Sequence, residues 1–281
     1  MREHTTVRTV AGPWSLATSR TFWEGFAPAA LPTRRDTTDL RTVFLVDRDW
    51  SRAKATVHQD GATARITVTG EGDLDAAATQ AARFLALDVD GRGWPAVGDR
   101  DPVIGAAQRS LPGLRPCGFH SPYEAAAWAV LSQRVRIAQA AHLRRDLIRR
   151  HGHAGAFPEP ERLRALDLDL PGRKPEYLRA VAEAALDGLL DGGRLRDMDA
   201  ETAVAQVRQV KGLGPFAAEL VVLRGANHPD GLPRHESRLD AEIVARYGAG
   251  TTLAHVAEAW RPYRTWAAFH LRALRERRSC A

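Results

Sequence analysis

Apolar positions alternate with polar ones in three short runs early in the chain. Further on they recur at the three-to-four-residue spacing of a helix face. Residues 42–46, 54–58 and 64–69 carry the period of two and read as strands. Asp60-Gly61 between the last two supplies the positive φ of a tight turn, so these strands should form a hairpin. Residues 73–87 are rich in alanine and leucine, open on acidic side chains and read as an amphipathic helix. Gly91-Arg92-Gly93-Trp94-Pro95 reads as a linker. Together these features predict a mixed α/β unit over residues 1–95.

From residue 96 the helical period dominates. Ser121-Pro122-Tyr123-Glu124 opens a helix with a hydroxyl cap, proline at the first position and Glu124 placed to complete a capping box. That helix ends at Gln133-Arg134. Residues 136–150, 174–190, 198–209, 215–224, 237–247, 251–260 and 265–277 read as further helices, and Asp191-Gly192-Gly193 stops the second of them. The fold class is therefore α+β: a mostly helical region, 96–281, behind a small N-terminal unit with an antiparallel sheet and a helix. No internal repeat is present.

Charge sharpens the picture. The net +6 is confined to one part: residues 1–95 hold 12 basic and 12 acidic side chains, whereas 96–281 hold 28 and 22. A basic excess confined to the helical region is the footprint expected of a nucleic-acid surface. The 37 arginines against 3 lysines reflect coding bias more readily than recognition. No apolar run approaches a membrane span, and the polar start is not a signal peptide. Two distant cysteines, Cys117 and Cys280, argue against a disulfide framework and for a cytoplasmic setting. Ten histidines show no metal-ligand spacing.

One short stretch carries chemistry of its own. Val210-Lys211-Gly212-Leu213-Gly214-Pro215-Phe216-Ala217 joins two helices by a connection too short for an ordinary loop. Glycines on either side of Leu213 permit a tight turn and close approach of another backbone. Unpaired N–H groups at the start of the following helix then suit a phosphate oxygen. Leu213 would anchor the turn in the core.

This stretch resembles the helix-hairpin-helix motif, and the likeness extends to Leu114-Arg115-Pro116, residues 129–135, residues 157–163, Leu223-Arg224-Gly225, and Trp260-Arg261-Pro262-Tyr263-Arg264 with His270. Five colinear matches over two-thirds of the chain are similar to the helix-hairpin-helix DNA glycosylases, in particular the bacterial 3-methyladenine DNA glycosylase II branch. The resemblance implies two helical subdomains with a cleft between them, and a monomer that binds double-stranded DNA and acts in base excision repair on alkylated purines. Lys211, Gly212, Leu213, Gly214, Phe216 and Ala217 would hold the DNA backbone, with an Na⁺ or K⁺ ion on the hairpin carbonyls and no other cofactor. Gln133 and Arg134 would enter the duplex where the base has left. Phe216, Leu220, Arg272 and Trp14 would line the base pocket, with Phe22, Trp23 and Phe26 as further rings. The implied setting is the bacterial nucleoid. With two cysteines the chain lacks the four-cysteine iron–sulfur cluster of some relatives.

Departures from the family pattern bear on mechanism. The family's catalytic aspartate aligns with Glu236, whose extra methylene moves the carboxylate by roughly 1.5 Å. Glu236 reads either as catalyst or as a first-turn glutamate; Asp240 reads as surface, and His235 as an exposed turn residue. Phe216 stands where strand-cutting members keep a Schiff-base lysine, which implies base release without lyase activity. Arg134 replaces a leucine wedge and Arg272 an aromatic pocket residue. A catalytically silent lesion binder, and a glycosylase for neutral or bulky bases, are the alternatives.

Overall fold

A computed structural model describes residues 1–28 and 38–280. Four antiparallel strands, β1 (Arg2–Thr9), β2 (Leu40–Leu45), β3 (Arg52–Asp60) and β4 (Thr63–Gly70), form one sheet in the order β1-β4-β3-β2. The expected hairpin is β3–β4, with Asp60 opposite Thr63 and Gly61 at φ 55° in the turn. β1 has no counterpart in the sequence reading. Its single aliphatic residue, Val7, is exposed and its other side chains are polar, so the half-covered face of this edge strand carries no apolar alternation for the sequence to show.

The Leu74–Phe84 helix lies across the sheet and buries Ala77, Ala78, Ala81, Ala82 and Phe84. Asp73 caps it, accepting from the Ala76 N–H at 2.9 Å. A second helix, Leu16–Gly25, starts at Ser15, which accepts from Thr18. The stretch expected to be a linker is instead structural: Trp94 opens the Trp94–Arg100 helix, with Pro95 in its first turn. Its indole is buried among the rings of Tyr263, Trp266 and His270. Gly93 before it and Pro95 after it disguise a core residue.

The helices past residue 100 enclose two large apolar cores, beside a small cluster of Leu111, Leu114, Phe269 and Ala273. One surrounds Pro122–Leu131, a helix buried along its whole length. The other gathers Trp94, Leu239, Ile243, Trp260 and Trp266. Ser121 caps Pro122–Leu131 as expected, accepting from the Glu124 N–H at 3.2 Å. Glu124 does not return the bond. Its carboxylate turns inward to the Arg144 guanidinium at 2.6 Å, because an entirely buried helix start offers a charge no water. The helix after the hairpin also departs from expectation. It is α-helical over Pro215–Leu220 and then widens to a π-helical turn over Val221–Gly225.

Candidate active site

The hairpin comes first. Gly212 takes φ 92°, a backbone open to glycine, and an added Cβ would lie 2.4 Å from the Tyr177 ring. Gly214 does not share this. Its φ of −78° is ordinary and a Cβ there would meet nothing within 4 Å; its small size instead leaves the start of Pro215–Leu220 open. Leu213 is buried in the helical core and its N–H bonds the Val210 carbonyl at 3.0 Å. The first N–H groups of Pro215–Leu220, those of Phe216 and Ala217, have no intrahelical acceptor. Phe216 is 46% exposed beside them. Lys211 is exposed and pairs with Glu176, which hydrogen bonds to Arg173 and Lys211 hold at a pKa of about 2.

Gln133 and Arg134 follow the end of Pro122–Leu131. The Gln133 side chain donates to the Gly212 carbonyl at 2.8 Å, and the Lys174 ammonium donates to the carbonyls of Val130 and Gln133. Lys174 is buried, and desolvation, then the charge of Arg134, lower its pKa. The glutamine expected to enter DNA is thus bonded to the hairpin here, and Arg134, exposed at φ 55°, is the residue free to project.

Glu236 caps the Ser237–Tyr247 helix, its Oε1 accepting from the Arg238 N–H at 3.3 Å. Its side chain is 23% exposed, and Oε2 lies 3.6 Å from Arg272 Nε. Arg272, expected in the same pocket, thus stands beside the carboxylate as a cation. Arg272 hydrogen-bonds not to Glu236 but to Glu276, at 3.1 Å. Asp240, one turn along, is exposed.

The loop before Glu236 is tied down at both ends. At one end the Asp230 carboxylate accepts from the Arg264 main-chain N–H and Nε, each at 3.0 Å, and the Gly231 N–H donates to Thr265 Oγ1. At the other, Glu219 accepts from the His235 main-chain N–H at 3.0 Å and from His235 Nδ1 at 2.7 Å. His235 is exposed, but it is not a free turn residue. Sequence reasoning missed Glu219, although a lone acid in the run Ala217-Ala218-Glu219-Leu220-Val221-Val222 was there to be questioned.

The aromatic residues divide. Trp14 packs on the sheet-side core, and Leu220 on the core around Pro122–Leu131. Phe22, Phe26 and Phe269 surround the guanidinium of Arg224, whose Cζ lies 5.8, 4.8 and 4.5 Å from their centroids. Arg224 rises from the π-helical turn, donates to the Cys117 carbonyl at 2.9 Å and feels the charges of Glu276, Arg272 and Glu236. Burial drops its pKa to about 10. Trp23 is fully buried, with its indole N–H on the Gly118 carbonyl. Cys117 is a buried free thiol whose pKa burial raises to about 12; the Cys280 side chain lies outside the described residues.

The glycine hairpin, the carboxylate capping a later helix and the four-stranded sheet sit in a fold shared with solved DNA glycosylases. The 3-methyladenine DNA-glycosylase from Archaeoglobus fulgidus shares that fold, with a TM-score of 0.73 over 97% of this chain and 98% of that one at 17% identity. By sequence the chain is a homologue of DNA-3-methyladenine glycosylases. It is 24% identical over 207 residues to that of Bacillus subtilis (strain 168), across 67% of this chain and 68% of the relative. It is 31% identical over 186 residues to DNA-3-methyladenine glycosylase 2 of Escherichia coli (strain K12), across 60% of this chain and 63% of the relative, so that match spans less than two-thirds of the relative's length. No family model matches the chain.

Proposed function

We propose that this chain is a monofunctional DNA glycosylase of base excision repair, which releases alkylated, 3-methyladenine-like purines from double-stranded DNA after flipping the damaged nucleotide. The observation that carries this reading is Glu236, a half-buried carboxylate on a loop tied by Glu219 to the hairpin helix. The hairpin N–H groups would hold a phosphate, with Arg134 filling the space left by the base. Glu236 would face the deoxyribose, stabilise its oxocarbenium character as the N-glycosidic bond breaks, and orient the attacking water. An alkylated purine already carries positive charge and leaves without a strong general acid, so one carboxylate suffices.

Phe216 has no amine to attack the sugar, so the product is an abasic site in an uncut strand. Incubation with alkylated duplex and borohydride should then trap no covalent adduct. Val210 and Gly212 carbonyls already accept from Leu213 and from Gln133. Each of these oxygens keeps a second lone pair, so an Na⁺ or K⁺ ion on the hairpin carbonyls stays part of the proposal, and no step runs through it. The chain would act as a monomer in the cytoplasm, on nucleoid DNA.

Arg272 supports a second reading, a lesion binder without catalysis, because its charge lies 3.6 Å from the carboxylate that should stabilise a cation. A base-release assay on alkylated duplex separates the two. The wild type should release base, Glu236→Gln should not while still binding DNA, and Glu236→Asp should keep part of the rate. DNA binding without base release by the wild type would favour the silent binder.

A further inference from the structure

We propose that Glu219 is a positioning residue that fixes Glu236 relative to the DNA-holding hairpin, an inference that rests on the glycosylase reading of Glu236. Glu219 lies among Ala217, Ala218, Val221 and Val222 and is itself buried. Burying a carboxylate costs several kcal/mol unless hydrogen bonds satisfy it. Both of its oxygens are used on one residue, His235, at 3.0 and 2.7 Å. Among the described residues no arginine or lysine stands within ion-pair distance of it. An apolar side chain would fill this place in the core at lower cost, as at the neighbouring positions. The carboxylate therefore serves the loop, and that loop presents Glu236 at the next residue.

Placement gives the tether its meaning. Glu219 stands one turn beyond Pro215, on the helix whose first N–H groups face the phosphate. A rigid helix and two hydrogen bonds thus join the hairpin to the residue beside the carboxylate. The far end of the loop is held separately, by Asp230 on Arg264 and by Gly231 on Thr265. Without Glu219 the loop stays attached at Asp230 and loosens at Glu236. His235, half exposed, is held by this contact at both its ring and its main chain.

The test measures single-turnover release of base from alkylated duplex, affinity for the same duplex, thermal melting, and backbone amide exchange over residues 234–238. In Glu219→Gln the amide carbonyl still accepts one N–H but its NH₂ opposes the other. Release should fall about 10- to 100-fold, the scale of an ångström-sized displacement of a catalytic group. Affinity and melting should change little, and the His235 amide should exchange faster. His235→Ala should lose rate in the same way, whereas His235→Asn, whose side-chain NH₂ can donate where Nδ1–H does, should recover much of it. Wild-type release rates in Glu219→Gln and His235→Ala overturn the proposal. So does a loss of rate that merely follows a loss of melting temperature. If the wild type itself releases no base, the glycosylase reading fails, and the tether is decided by exchange alone: unchanged exchange at 234–238 in Glu219→Gln overturns it.

Discussion

At the scale of the residue, two glycines that look equivalent in the sequence do different work. Gly212 needs its positive φ and has the Tyr177 ring against it, so Gly212→Ala should cost roughly 1–3 kcal/mol of stability from backbone strain, with the clash added. Gly214 has room for a methyl group, yet that methyl would stand on the exposed approach to the helix start. Gly214→Ala should leave the melting temperature nearly unchanged while weakening DNA affinity, and a titration on any duplex sequence reads the difference. Should Gly214→Ala bind as tightly as the wild type, the hairpin does not approach a phosphate there. Glu236 shows the limit of reading by position. The resemblance places it at a helix start with Arg272 in the same pocket, but the 3.6 Å approach of these two residues, distant in sequence, is carried by no local pattern.

At the scale of the element, Pro122–Leu131 links stability to the site. Its first turn holds Glu124, and the residues past its end are Gln133 and Arg134. Burial alone would raise the Glu124 carboxyl pKa, but His120, with Nδ1 3.5 Å away, and Arg144 outweigh it and hold the value at about 2. A carboxyl so depressed adds stability above its ordinary pKa of about 4.5, and that contribution is lost as pH falls from there toward 2. Melting temperature should therefore drop over this window. In Glu124→Gln the drop should be smaller, starting from a protein already about 3–5 kcal/mol less stable because Arg144 is left buried and unpaired. An identical acid profile in the variant would exclude this cluster as the cause. The longer helices were legible because their apolar faces repeat over many residues, and β3–β4 because the turn glycine sits between two alternating runs. Short helices such as Leu16–Gly25, Pro102–Ser110 and Gly192–Asp197, the last opened by the Asp191 read as a stop, were not. β1 was not, since an edge strand of threonines buries too little to alternate. Trp94 was hidden between Gly93 and Pro95. Glu219 and Arg224 act through partners far off in sequence, on a loop and on three rings that only the fold assembles.

At the scale of the molecule, the basic excess predicts how DNA is held. Phosphate contacts release counterions, so log affinity should fall linearly with log salt, with a slope that counts the contacts and little dependence on sequence. A flat response between 50 and 200 mM salt would remove DNA as the main partner. The two parts drawn from the sequence at residue 95 meet through polar bonds as well as apolar ones. Asn227 donates to the carbonyls of Arg83, Phe84 and Pro116, and Gln80 to those of Leu45 and His120. Arg115 is the densest of these links. Its fully buried guanidinium donates to the carbonyls of Ala11, Pro13, Ala86 and Val89, and desolvation lowers its pKa to about 10. All four acceptors precede residue 115 in the chain. Synthesis therefore makes every carbonyl partner before the arginine, while the Trp266 ring that covers the guanidinium at 5.1 Å comes later. Rejoining the termini and reopening the chain at residue 96 would reverse that order: the same bonds could form at equilibrium, but the cation would emerge first and wait in a half-built core.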